Sequence, residues 1–219
     1  DNEPDLWAST HRRLRGSDAA SEGTPVSYAE LFRLTEDYAS AIKDAAPNAL
    51  VFGPASYGWQ GFKTLQNAPD STDAQYAGED FLDAYLKEMK TYKTAHGRRI
   101  LDVLDLHWYP EALSSTGVRI TEADNSAAVV AARVQAPRSL YDSGYVENSW
   151  ISQSSAAGGV IRLIPWVEAK IAADYAGTKL SFSEYNYGGA DHISGGVAEA
   201  DVLGIFGAHG VYAANLWPL

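Results

Sequence analysis

The sequence contains no cysteine. That absence excludes thiolate metal sites, disulfide staples and a cysteine nucleophile together, and leaves the redox compartment open. No apolar run approaches the roughly 18 residues that a membrane span needs, and no basic-then-apolar leader opens the chain. Positive charge is scarce: 17 Lys and Arg stand against 28 Asp and Glu, for a net charge of −11. The longest basic clusters are Arg12-Arg13 and Arg98-Arg99. Such a surface repels phosphate, so neither nucleic acid nor a membrane is an expected partner.

What is present is an ordinary core-forming composition, 46% hydrophobic and 21% charged over 219 residues, which suits one domain spanning 1–219. The distinctive component is aromatic, with 6 Trp, 13 Tyr and 6 Phe, many in loop-like sequence. Rings in such places suit stacking against flat apolar faces, including those of sugars.

Apolar periodicity and end signals give an alternation of helices and strands. A capping box, Ser27-x-x-Glu30, opens a helix over 27–45 with Leu31, Leu34, Tyr38, Ala41, Ile42 and Ala45 in phase. Leu50-Val51-Phe52 is a short strand ended by Gly53-Pro54, and residues 55–73 read as a polar, ring-rich loop. A helix over 79–94 stops at His96-Gly97. Further strands are expected at 100–106, 180–183 and 211–216, with helices at 161–175 and 196–206, the last capped by Ser194. Trp166, between Ile164 and Val167, reads as core. The stretch 111–159 carries one short helix, 126–134, and is otherwise irregular, which in a compact domain suggests function.

Each strand is apolar in its body and polar or aromatic just past its C-terminal end. In parallel α/β folds catalytic groups collect at those ends, so a (β/α)8 barrel is the expected architecture; a doubly wound sheet would usually carry a Gly-rich first turn, which is absent.

Two carboxylates stand where strands end, Glu3 in Asn2-Glu3-Pro4 and Glu184 in Ser183-Glu184-Tyr185. Glycoside hydrolysis needs such a pair: one carboxyl protonates the leaving oxygen, and in a retaining mechanism the other attacks the anomeric carbon, the two carboxyl groups standing about 5–5.5 Å apart. An Asn beside the acid can hydrogen-bond the sugar 2-hydroxyl. Spacing alone is weak evidence among 28 acidic residues, and Glu3-Pro4 equally suits a plain helix start; Glu184 gains from its apolar strand and Gly-Gly turn.

By alternation His107 and Tyr109 share a face with Asp105. A carboxylate beneath the His can set its tautomer and the Tyr can donate to a nucleophile, or the three can form a satisfied polar layer. Five scattered His with no HExxH pair argue against a metal. Ser56 reads as a loop residue, because Pro54 occupies the first glycine position of a nucleophile elbow. Trp59, Tyr145, Trp150, Tyr187 and Trp217 are candidate sugar platforms, each also suited to packing on core.

Beyond these readings, Asn2-Glu3-Pro4 resembles the acid/base motif of the large clan of retaining (β/α)8 glycosidases. The segments Gly53 to Phe62, Leu101 to Glu111, Pro137 to Asp142, Glu184 to Gly189 and Ala200 to Phe206 are together similar to glycoside hydrolase family 44.

The resemblance implies a retaining endo-β-1,4-glucanase, with Glu3 as general acid/base, Glu184 as nucleophile and Trp217 stacking where the bond breaks. Asn2, Trp59, His107, Tyr109, Trp150 and Tyr187 would bind substrate. The partner would be a β-1,4-glucan or xyloglucan, the protein a secreted monomer, with no required cofactor and with a structural calcium unsupported by any motif here.

It further implies that strands 4 to 8 of the barrel are present and the family's β-sandwich domain is absent, so that the chain is expected to be an internal part of a longer enzyme. Residues 12–24 and 121–135 depart from the family pattern. The contrasting expectation is an inactive barrel fragment that acts at most as a carbohydrate-binding module.

Overall fold

The computed structural model describes residues 2–17, 21–154 and 156–218. In chain order the elements are α1 (Trp7–Thr10), α2 (Tyr28–Ala45), β1 (Phe52–Ser56), α3 (Trp59–Thr64), α4 (Phe81–His96), β2 (Val103–Trp108), α5 (Ala127–Arg133), α6 (Trp150–Ser154), α7 (Leu163–Asp174), β3 (Lys179–Tyr185), α8 (Ile193–Ala208) and β4 (Ala213–Leu216). The fold is α/β, with one sheet in the order β1-β2-β3-β4. β1 pairs with β2 in parallel, Phe52 opposite Val103 and Pro54 opposite Asp105, with an irregularity between Pro54 and Ser56. No helix among the described residues is long and apolar enough to cross a membrane.

Local chemistry explains most starts and stops. Ser27 caps α2 by accepting the Glu30 amide at 3.0 Å, but the Glu30 carboxylate turns to Arg15 at 2.6 and 2.8 Å, so only half of the expected capping box forms. Asp80 and Asp83 make a reciprocal capping box at the start of α4, and Lys170 reaches both carboxylates at 2.6 and 2.7 Å. α8 begins at Ile193, and its cap is His192, whose Nδ1 accepts the Ser194 amide at 3.1 Å, in place of the expected Ser194.

β1 is displaced from its expected position: it runs through Gly53-Pro54, a cis bond, instead of ending there. Proline lacks an N–H for the ladder and so reads as a stop, yet it is tolerated beside the irregularity in the β1–β2 register between Pro54 and Ser56.

The chain divides into two compact units, residues 1–107 with 170–181, and residues 108–169 with 182–219. In the first, Tyr28, Phe32, Tyr76, Phe81 and Tyr85 form an aromatic cluster with centroid separations such as 4.8 Å for Tyr28–Tyr76 and 5.0 Å for Tyr28–Phe81. Lys43, buried on α2, reaches Asp102 at 2.6 Å and the Ala49 carbonyl at 2.7 Å. The stripe expected on α2 is only partly buried. Leu31 is core, whereas Leu34, Tyr38 and Ile42 line an open groove of about 260 Å³ with Phe52, Pro54 and Tyr85.

In the second unit Phe182 stacks on Phe206 at 5.1 Å, and Tyr185 meets the same ring edge-on at 5.2 Å. Trp166 is half-buried instead of core. Arg133, fully buried, organises the long segment that the sequence left irregular. It donates to the Ile120 carbonyl at 2.8 and 3.0 Å, to the Asp124 carbonyl at 2.9 Å, to Asn125 at 2.9 Å and to Ser194 Oγ at 2.8 Å. Gly189 lies so close that a Cβ there would sit 2.7 Å from Arg133 Nη1.

Candidate active site

In the first unit the chain turns sharply at Glu3, which adopts a left-handed backbone (φ 45, ψ 59) just before the short 3-10 turn Pro4–Leu6. For a residue with a Cβ that conformation is strained by about 1–2 kcal/mol and persists only where surroundings enforce it. They do so here. The Glu3 amide donates to the Ala55 carbonyl of β1 at 3.0 Å, the Leu6 amide donates to the Glu3 carbonyl at 2.9 Å, and Trp7 Nε1 donates to the Asn2 carbonyl at 2.9 Å. The Glu3 carboxylate, half-buried, has its Oε1 3.0 Å from Nδ1 of His107. His107 is the penultimate residue of β2 and buried, so it holds the carboxylate and is too enclosed to offer itself broadly to a ligand.

In the second unit Tyr109, one residue past the end of β2, donates its hydroxyl to Oε2 of Glu184 at 2.7 Å. Glu184 is the penultimate residue of β3 and half-buried. The next strand end is tied in by backbone: the Trp217 amide donates to the Tyr185 carbonyl at 3.0 Å, and the Asn186 side-chain amide donates to the Trp217 carbonyl.

Two of the expected platforms keep an open face. Trp217 is 52% exposed and Trp150 41% exposed. The others are corrected by their surroundings. Trp59 opens α3 and is 5% exposed, and Tyr187 is 2% exposed, with burial holding its phenol well above the usual range; both are core rings and not stacking surfaces. Tyr145 is half-buried beneath the Arg138 guanidinium, 4.7 Å from its ring centroid. Asn2 is exposed. Asp105 accepts from Ser181 of β3, and the carboxylate at His107 Nδ1 is that of Glu3.

Two buried acids escaped the sequence reading. Asp5 accepts from Ser56 Oγ at 3.0 Å and from the Tyr57 amide at 3.1 and 3.2 Å, which makes Ser56 a strand-end donor instead of a loop residue. Glu147 accepts from Ser139 at 2.6 Å, and its carboxyl is pushed up by burial. Glu147 lies in a polar run, Glu147-Asn148-Ser149, so nothing in its neighbourhood signals burial. For Asp5 the signal was proximity to Glu3.

Residues 1–112 match the model of glycoside hydrolase family 44. The chain belongs to glycoside hydrolase family 44. It is 46% identical to a β-mannanase/endoglucanase A of Caldicellulosiruptor saccharolyticus over 99% of this chain and 16% of that protein. It is 44% identical to endoglucanase A of Paenibacillus lautus over 99% of this chain and 30% of that one. A solved structure of a family 44 xyloglucanase of Paenibacillus polymyxa with xyloglucan superposes with a TM-score of 0.92 at 41% identity, covering 100% of this chain and 41% of that chain. This family 44 chain therefore spans less than half the length of each of these relatives.

Proposed function

We propose that this family 44 chain carries the carboxylate pair of a retaining endo-β-1,4-glucanase that acts on cellulose-type glucan or xyloglucan. The carrying observation is that each carboxylate has its own partner: His107 Nδ1 lies 3.0 Å from Glu3, and Tyr109 donates at 2.7 Å to Glu184. The endoglucanase and xyloglucanase relatives supply the substrate class. The parallel pairing of β1 with β2, and functional groups at strand ends, support reading the sheet as part of a (β/α)8 barrel.

In the proposed reaction Glu184 attacks the anomeric carbon as Glu3 protonates the departing glycosidic oxygen, giving a glycosyl ester and a shortened chain. Glu3 then takes a proton from water, which attacks the same carbon, releases Glu184 and restores the original configuration. The Tyr109 hydroxyl orients the attacking oxygen through its hydrogen bond. Trp217 and Trp150 stack on glucosyl rings by their open faces, and His107 fixes the acid's direction. Because the substrate is an extracellular polymer, the protein acts outside the cell, as a monomer.

The test is azide trapping in the complete chain. With Glu184→Ala, azide substitutes for the carboxylate on its own face and gives an α-glycosyl azide; with Glu3→Ala it intercepts the ester and gives the β-azide. Recovery of neither product, or of the reverse assignment, refutes these roles.

A further inference from the structure

Asp5 stands two residues after Glu3, on the turn that gives Glu3 its left-handed backbone. It is 8% exposed, too enclosed to contact a glucan. Its two oxygens accept the Ser56 hydroxyl and the Tyr57 amide, both at the end of β1. Directly behind it is Gly61 of α3, where a Cβ would sit 2.0 Å from Asp5 Oδ2 and 2.4 Å from Ser56 Oγ. The absence of a side chain at 61 is thus what lets the carboxylate reach the strand end. Burial pushes the Asp5 carboxyl up to about 6, and the neighbouring Glu3 charge adds to the rise, against the lowering by hydrogen bonds from the Tyr57 amide, its own amide and Ser56. Ionising this carboxyl at neutral pH therefore costs folding energy.

We infer that Asp5 is a positioning residue: by tying the turn to Ser56 and Tyr57 it fixes the left-handed backbone at Glu3, and with it the direction in which the Glu3 carboxyl meets the leaving oxygen. This rests on the reading of Glu3 as the general acid.

A misdirected acid slows only those bond cleavages that need protonation. Departure of a glucan hydroxyl needs it; departure of a dinitrophenolate, already a stable anion, hardly does. The leaving group therefore separates a positioning effect from general damage.

The experiment uses the complete chain and compares kcat/KM on soluble carboxymethyl cellulose and on 2,4-dinitrophenyl β-cellobioside. Asp5→Ala and Gly61→Ala are expected to lose roughly ten- to a hundredfold on the glucan while staying within about threefold of wild type on the aryl substrate. Asp5→Asn, which keeps the shape and an acceptor oxygen, is expected to recover most of the glucan activity. Equal losses on both substrates in Asp5→Ala and Gly61→Ala, or no rescue by Asp5→Asn, overturn the proposal. Glu3→Ala is the control: if it shows no leaving-group dependence, the role of Glu3 itself fails, whereas dependence in Glu3→Ala without it in the other two variants sinks Asp5 alone.

Discussion

The Tyr109 hydroxyl donates to Oε2 of Glu184 across 2.7 Å, from a residue one position past β2 to the penultimate residue of β3. A hydrogen bond to a charged acceptor contributes about 1.5–3 kcal/mol. With Glu184 as the proposed nucleophile, loss of this bond frees the carboxylate to rotate away from the line of attack. Tyr109→Phe is expected to lower kcat on carboxymethyl cellulose roughly ten- to a hundredfold, with the unfolding midpoint little changed. Steady-state kinetics with a thermal melt decides it, and full activity in Tyr109→Phe would remove the tyrosine from the mechanism.

Trp59 and Trp217 should separate by phenotype. Trp59 is packed into the first unit's core, so Trp59→Ala is expected to cost about 3–5 kcal/mol of stability. Trp217 keeps half its surface open, so Trp217→Ala is expected to leave the melt nearly unchanged and to raise KM or the oligosaccharide Kd about tenfold. Calorimetric binding of cellotetraose beside thermal unfolding would show whether the two losses fall on opposite sides.

Asp5 makes stability depend on pH with a definite sign. Its folded carboxyl titrates at about 6 against 3.8 for the ordinary value, so the folded state binds the proton more tightly. Stability is fully retained below about 4, falls as pH rises through that window, and above about 6 carries a cost near 3 kcal/mol. Asp5→Asn removes the charge. It is expected to be stabilised by up to about 3 kcal/mol at pH 7 and not at pH 3.5, as read from urea unfolding at the two pH values. A gain that is the same at both would mean that the carboxyl titrates normally.

Arg133 is satisfied by two carbonyls and two side chains, with the charges of Asp124 and Asp191 acting on it without a direct hydrogen bond from its guanidinium to either carboxylate among the described residues. Arg133→Met leaves the Ile120 and Asp124 carbonyls without their donor inside the protein, at about 1–3 kcal/mol each. The expected outcome is a loss of about 3 kcal/mol or more in urea unfolding. Gly189→Ala, which presses a methyl onto the guanidinium, should move stability the same way.

The order of the longer helices and the strands, and Glu184 at the end of β3, were legible, because buried strands and amphipathic helices leave periodic traces and because Glu184 follows an apolar run. Glu3 and His107 were each picked out, but not their contact. A separation of 104 positions leaves no periodic trace, and only folding joins them. Tyr109 was read either as a donor to a neighbouring nucleophile or as part of a polar layer, and its hydroxyl does donate to the Glu184 carboxylate. The errors are informative. Pro54 reads as a stop because it lacks a ladder donor, yet β1 keeps it beside an irregularity in the register with β2. α3 was hidden by its composition: Gly58 and Gly61 beside Trp59 and Gln60 read as loop, although Gly61 is there for closeness to Asp5. Trp59 and Tyr187 were offered as platforms because ring composition does not distinguish an exposed face from a packed one.

Gly61 bears on how such a protein is engineered. Helix propensity favours alanine over glycine by about 1 kcal/mol, so any stability-driven redesign of α3 would nominate that position early. The methyl it adds would land on a carboxylate and a hydroxyl of the strand end, inside van der Waals radii. A thermostability screen blind to turnover would then be scoring a displaced strand-end carboxylate as an improved helix.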